Sequence, residues 1–214
     1  MIDTFIAALD WLGVAVFAVT GALVASRKQM DVVGFALLAT VTGVGGGTVR
    51  DLCLGLVPVF WVGQPVYVAV CVAVAVLVFF TAHIPESRYR LLLWLDAAGL
   101  SFFCIVGAER TLAAGAGPAV AIIMGVVTAT IGGVIRDVLG GEIPVILRRE
   151  IYATAALAGA LTFVGLAVAG LPQLPAAAAG FAVCLAVRGA ALLRGWSLPV
   201  YRARPGRNPG DLGL

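Results

Sequence analysis

The sequence has one histidine, His83, and no Ser-His-Asp, H-E-x-x-H or phosphate-loop pattern. With so few groups able to shuttle protons or ligate a metal, it offers no basis for an enzyme, a resident metal or a cofactor. Its four cysteines, Cys53, Cys71, Cys104 and Cys184, stand singly among apolar neighbours without C-x-x-C spacing. They read as inert buried thiols, not as a zinc or redox site. Charge is scarce as well: only 12% of the residues are charged, against roughly 25% in an ordinary soluble domain. The net charge of +3 comes from basic residues scattered between apolar runs and at the C-terminal end. No continuous basic face results, which argues against nucleic acid as a partner.

Apolar residues are what the chain has in abundance, 62% of 214 positions with a mean hydropathy of +1.08. A soluble fold cannot hide that much apolar surface. Seven runs, at about residues 3–25, 31–55, 64–82, 91–109, 117–140, 150–170 and 174–193, approach the roughly 20 residues that cross about 30 Å of hydrocarbon. Polar and apolar residues do not alternate along them, so a membrane β-barrel is disfavoured. The expected class is an all-α membrane protein of seven transmembrane helices surrounded by lipid. The first run lacks a basic n-region and carries Asp3 and Asp10, which reads as a retained helix and not a cleaved signal.

Positive charge falls on every second connection: Arg27 and Lys28, Arg88 and Arg90, Arg148 and Arg149, and Arg194 onward. The positive-inside rule then puts the N-terminus outside and the C-terminus in the cytoplasm. The stretch after Trp196, with Arg202, Arg204, Arg207 and several Pro and Gly, is expected to stay unpacked.

Sliding the sequence against itself by 86 residues, the distance from Asp10 to Asp96, superimposes many uncommon residues without a gap. Gly13 meets Gly99, Gly21 meets Gly107, Gly46-Gly47 meets Gly132-Gly133, Arg50-Asp51 meets Arg136-Asp137, and Pro58 meets Pro144. Apolar coincidences are cheap in such a chain; Arg-Asp and Pro coincidences in one register are not. The duplication divides the chain into a three-helix repeat at 1–85, a second at 86–171, a seventh helix at 172–196 and a tail at 197–214. An odd number of helices per copy inverts the second copy, an arrangement that places functional sites near the midplane.

The duplicated element reads Thr42-Gly43-Val44-Gly45-Gly46-Gly47-Thr48-Val49-Arg50-Asp51 and Thr128-Ala129-Thr130-Ile131-Gly132-Gly133-Val134-Ile135-Arg136-Asp137. Each glycine costs a helix interior about 1 kcal/mol relative to alanine. The glycines therefore either interrupt the helix and bare its carbonyls, or let a neighbouring helix approach closely. Arginine and aspartate inside a membrane are expensive and face a bundle interior, an aqueous cavity or each other. Neighbouring helical residues diverge by about 100°, so Arg50 and Asp51 are not expected to pair. Arg50 is expected to bind Asp10, and Arg136 to bind Asp96, with Asp51 and Asp137 as cross-helix alternatives. Glu109, Arg110, Glu142 and His83 read as solvated interface positions, and the four tryptophans as interfacial anchors.

Two G-G-x-x-R-D copies on spans two and five of a seven-span chain resemble the bacterial relatives of the trimeric intracellular cation (TRIC) channels. Their two-copy domain is also described as a transporter of glycine or small amino acids. The resemblance covers all seven spans. It implies a homotrimer in a bacterial inner membrane, each protomer with its own pore, and kinks at Gly45 to Gly47 and at Gly132 and Gly133. Animal members carry a lysine-containing motif where this chain has Thr48-Val49-Arg50-Asp51. The implied activity is a channel for monovalent cations, potassium and sodium, between spans two and five. Carboxylate-bound Arg50 and Arg136, with Asp51 and Asp137, then serve as gate, and carbonyls with the hydroxyls of Thr42, Thr48, Thr128 and Thr130 face the ion. The alternative is a carrier in which arginine faces the carboxylate and aspartate the amine of a small zwitterion. A membrane scaffold with purely structural arginines is the third possibility, and it predicts no flux.

Overall fold

The computed structural model describes residues 2–85, 87–199, 201 and 206, with side chains from Ile6 onward. The tail residues Arg202, Arg204 and Arg207, and the Asp3 side chain, lie outside the described residues. Eight helices account for almost all of the described chain: α1 (Ile2–Arg27), α2 (Val32–Leu54), α3 (Phe60–Gly63), α4 (Val66–Thr81), α5 (Arg88–Ala113), α6 (Pro118–Leu139), α7 (Ala153–Val168) and α8 (Gln173–Arg194). A 3-10 turn, Val145–Leu147, follows α6. Each apolar run coincides with one of these helices, and the eighth, α3, is four residues long.

By length and composition α1, α2, α5, α6 and α8 can cross a membrane, while α4 and α7 are apolar but shorter, at 16 residues each. The protein is thus an all-helical membrane protein. Its helix ends follow local chemistry. The Asp31 side chain accepts the Gly34 N–H at 2.8 Å to open α2, and Ser87 accepts the Arg90 N–H at 3.2 Å to open α5, each satisfying an orphan donor of a first turn. Pro118 occupies the first turn of α6, where its missing N–H costs nothing. Gly55 and Gly195 close α2 and α8 at φ of 68° and 66°, a left-handed conformation that a β-carbon would disfavour.

The centre is built on α1 and α5, whose glycines and phenylalanines interlock. Gly13 of α1 lies against the Phe103 ring and Gly99 of α5 against the Phe17 ring, and the two rings meet edge to face at 5.0 Å. As the number rises on α1 it falls on α5, so the helices run antiparallel. Glu142, expected at a solvated interface, sits between Arg27 at 3.1 Å, Lys28 at 3.7 Å and Arg148 at 3.8 Å. That carboxylate ties three basic residues from two connections into one network on one face of the molecule. His83 lies exposed in the turn after α4.

Candidate functional site

Helices α2 and α6 run unbroken through their glycines. Of the two readings of the glycines, interruption or close approach, these helices take the second: the glycines are used for contact. A β-carbon on Gly46 would strike the carbonyl oxygen of Thr128, and one on Gly132 the carbonyl oxygen of Thr42. Gly45 faces the Ile135 side chain and the Gly132 Cα, and Gly47 faces the Phe60 ring. Close approach of the two backbones compensates the low helix propensity of glycine. The reciprocal pairs, 46 with 128 and 42 with 132, make the crossing antiparallel. Arg50 and Arg136, each one turn beyond its glycine, therefore lie on opposite sides of it.

On one side, Arg50 is bound by its own neighbour: Nε and Nη2 donate to Asp51 Oδ1 at 2.9 and 2.8 Å. Asp51 Oδ2 accepts the Phe60 N–H at 2.8 Å, so the carboxylate joins the end of α2 to the start of α3. The expected Arg50–Asp10 bond is not formed. Asp10 instead accepts the Tyr67 hydroxyl at 3.1 Å and lies 3.7 Å from Arg110 Nη2, while Trp11 stacks on Tyr67. Divergence of adjacent side chains does not prevent the Arg50–Asp51 bond, since a long arginine stem curls back to a carboxylate already held by a backbone donor.

On the other side the same adjacent pair recurs, with Arg136 Nε donating to Asp137 Oδ1 at 2.9 Å and Asp137 Oδ2 accepting the Val145 N–H at 3.0 Å. Here the arginine also reaches across helices. Arg136 Nη1 donates to Asp96 Oδ1 at 2.6 Å and to Thr20 Oγ1 at 3.0 Å, so Asp96 on α5 is the cross-helix partner expected for it. Arg136 and Asp96 are wholly buried. Three atoms of this cluster have no hydrogen-bond partner among the described residues: Asp96 Oδ2, Arg136 Nη2 and the Tyr152 hydroxyl. Two of them border Gly133, whose missing β-carbon would lie 2.9 Å from the Tyr152 hydroxyl and 3.6 Å from Arg136 Nη2, with the bonded Asp96 Oδ1 also at 3.6 Å.

The four threonines point their hydrogens down their own helices. The hydroxyls of Thr42 and Thr128, wholly buried against Gly21 of α1 and Gly107 of α5, donate to the carbonyls of Leu38 and Met124, and those of Thr48 and Thr130 to Val44 and Val126, each oxygen keeping acceptor lone pairs. One of these is already used, since Trp61 Nε1 donates to Thr48 Oγ1 at 2.9 Å.

Tyr67, Tyr152, Thr20 and Arg188 were not singled out from sequence. Arg188, 1% exposed on α8, donates to Glu150 at 2.7 Å and to the Ile151 carbonyl at 3.0 Å. Its Cζ also sits 5.2 Å from the Tyr152 ring centroid. An arginine inside the seventh apolar run was a sufficient signal for it.

A family model described as glycine transporter matches the chain twice, over residues 7–83 and 93–168; the two matches begin 86 residues apart. The inner membrane protein YadS of Escherichia coli (strain K12) is 41% identical over 90% of this chain and 94% of its own length. A membrane protein of Vibrio cholerae serotype O1 is 40% identical over 90% of this chain and 81% of its own. Among solved structures, a TRIC trimeric intracellular cation channel orthologue from Rhodobacter sphaeroides superposes with a TM-score of 0.89 at 63% identity, covering 90% of this chain and all of that one. A prokaryotic TRIC channel in 0.5 M KCl superposes with a TM-score of 0.84 at 28% identity, covering 91% and 99%. The chain therefore belongs to the TRIC-related family of membrane proteins, whose two-copy domain is the one described as glycine transporter.

Proposed function

We propose that this protein is a cation channel, permeable to potassium and other monovalent cations, working as a homotrimer with one conduit per protomer between α2 and α6. The observation that carries this reading is the antiparallel glycine crossing of α2 and α6, with one buried arginine–carboxylate cluster on each side of it. The trimeric cation channel with 63% identity supports it. In our reading α4 and α7 also cross the membrane, which gives seven spans: two inverted repeats at 1–85 and 86–171, then α8. The reciprocal glycine contacts, and family matches that start at the same 86-residue offset, support the duplication. The N-terminus faces outward and the C-terminus, with the basic connections, faces the cytoplasm.

In this conformation α2 and α6 touch at the crossing, so conduction requires them to separate there. Arg50 and Arg136, with Asp51 and Asp137, act as two gates; Asp96 holds Arg136 from α5, and Asp10, bound to Tyr67, supports the other gate from α1. An arginine neutralised by a carboxylate need not repel a passing cation. As the helices part, the carbonyls of Thr42 and Thr128, which lie at the crossing, supply oxygen for the ion, joined by the free lone pairs of the Thr42, Thr48, Thr128 and Thr130 hydroxyls. Planar bilayers containing the purified protein and a potassium gradient test this reading. Channel currents are expected, and Arg50→Ala is expected to raise open probability several-fold; unchanged current and gating in that variant reject the gate assignment.

A second reading has its own observation. Arg136 Nη2 and the Tyr152 hydroxyl beside Gly133, with Asp96 Oδ2, all buried without partners among the described residues, are the donor and acceptor set that a small zwitterion such as glycine needs. A secondary transporter would rock its two halves around that site. In proteoliposomes it would show saturable glycine uptake with counterflow, and Tyr152→Phe would raise the apparent KM about tenfold, the scale of one lost buried hydrogen bond. A channel shows neither saturation nor counterflow.

A further inference from the structure

Outside the α2–α6 crossing, the loop before α7, the end of α8 and the start of α5 enclose a cleft of about 460 Å³. Its polar wall is Arg148, Arg149 and Arg188 against a single carboxylate, Glu150, an excess of two positive charges. Arg149 is exposed and makes no ion pair among the described residues. Arg188 is almost wholly buried, its two terminal nitrogens are engaged, and its Nε has no partner.

The backbone fixes this wall. The Leu198 N–H donates to the Arg149 carbonyl at 3.1 Å, and Ser197 bridges to Glu150, so the segment after α8 clamps the basic loop in place. From the basic end the cleft runs past Tyr89, Leu93 and Leu192, which it shares with a second groove leading on to Trp94 and Leu193. Leu193 is 75% exposed, and Trp196 and Trp94 are 45% and 39% exposed. Tryptophans at that level and an apolar runway fit the boundary between headgroups and acyl chains.

We propose that this cleft binds an anionic phospholipid, its phosphate held by Arg149 and Arg188 and its acyl chain laid along Leu93, Leu192 and Leu193. Two features favour a lipid over a soluble phosphate. The arginines sit at one end of a groove that continues over Leu93, Trp94, Leu192 and Leu193 with Ser87 and Arg90 at its edge, and the groove leaves the basic end along two helices that enter the membrane. Glu150 and Ile151, which Arg188 holds, immediately precede Tyr152. Lipid in the cleft thereby braces the loop that carries this hydroxyl to the Arg136–Asp96 pair.

The test is binding, and its outcome does not depend on whether the protein is a channel or a carrier. Purified full-length protein in neutral detergent is equilibrated with dioleoyl phosphatidylglycerol, with dioleoyl phosphatidylcholine, or with glycerol 3-phosphate, and native mass spectrometry counts what is retained. Phosphatidylglycerol is expected to be retained about fivefold better than phosphatidylcholine. Arg149→Gln should remove most of that preference, about the contribution of one arginine beside an anionic headgroup. Lys28→Gln, on the same face but outside the cleft, should keep it. Equal retention of the two lipids, an undiminished preference in Arg149→Gln, or an equal loss in Lys28→Gln overturns the site. Retention of glycerol 3-phosphate as strong as that of phosphatidylglycerol overturns the lipid as its source.

Discussion

Arg136→Ala is expected to cost about 3–5 kcal/mol of stability, the range for removing one partner of a buried ion pair. The size follows from what would be left behind. Asp96 and Asp137 both face Arg136, at 2.6 and 2.9 Å, so its removal strands two buried carboxylates with no cation between them. The equivalent loss at Arg50 is smaller, because Arg50 bonds directly to Asp51 while Asp10, which only feels its charge, keeps Tyr67 and Arg110. Two related clusters thus hold different charge: one arginine between two carboxylates on one side, two arginines with two carboxylates on the other. Thermal unfolding in detergent, followed by loss of monodisperse protein on size exclusion, ranks them. Arg136→Ala should unfold well below Arg50→Ala, and Arg136→Lys should recover part of the loss, since it keeps the charge without the fork that reaches Asp96, Asp137 and Thr20 together. Equal destabilisation at the two arginines would contradict the charge count.

The helices and the duplicated motif were legible because they rest on signals that survive without tertiary information: long apolar runs, and uncommon residues repeated in one register. The breakpoints were less so. Helix α5 runs from Arg88 to Ala113, about four residues beyond the apolar run at its C-terminal end. Its polar residues there are held by structure, with Arg110 beside Asp10 and Gln173 donating to Glu109.

The site was half legible. Asp96 with Arg136 followed from the loop charges, which put both residues toward the same side of the membrane. Arg50 with Asp51 did not, because a helical wheel records where a side chain starts and not where a flexible one ends. Tyr67 and Tyr152 escaped for another reason. They lie 85 residues apart, one short of the repeat, so a self-comparison in strict register passes over them. Yet both reach an aspartate cluster, Tyr67 by a bond to Asp10 and Tyr152 by its place beside Gly133. Of the two readings of the glycines, the break gave way to close approach, propensity being outweighed by packing, a common outcome where a helix meets another backbone.

That packing makes the second large prediction. Alanine at Gly46 gains about 1 kcal/mol of helix propensity, yet its methyl must enter the Thr128 carbonyl. A backbone carbonyl cannot rotate away as a side chain can, so the helices must separate. Overpacking typically costs about 1–3 kcal/mol, and the rigid contact places Gly46→Ala at the upper end, for a net loss of about 2 kcal/mol. Gly132→Ala meets the Thr42 carbonyl and the Phe17 ring and should lose as much. The two contacts belong to one crossing, so the first methyl already forces the separation that the second needs. The double variant should therefore lose clearly less than the sum, a coupling expected of neighbours that share a backbone shift. Gly165→Ala, with open space around it on α7, isolates the propensity gain and should be stabilised by about 0.5–1 kcal/mol. The same separation is what conduction asks of α2 and α6. Gly46→Ala in bilayers is thus expected to lose stability and gain open time together, whereas a helix pair that never parts would lose stability alone.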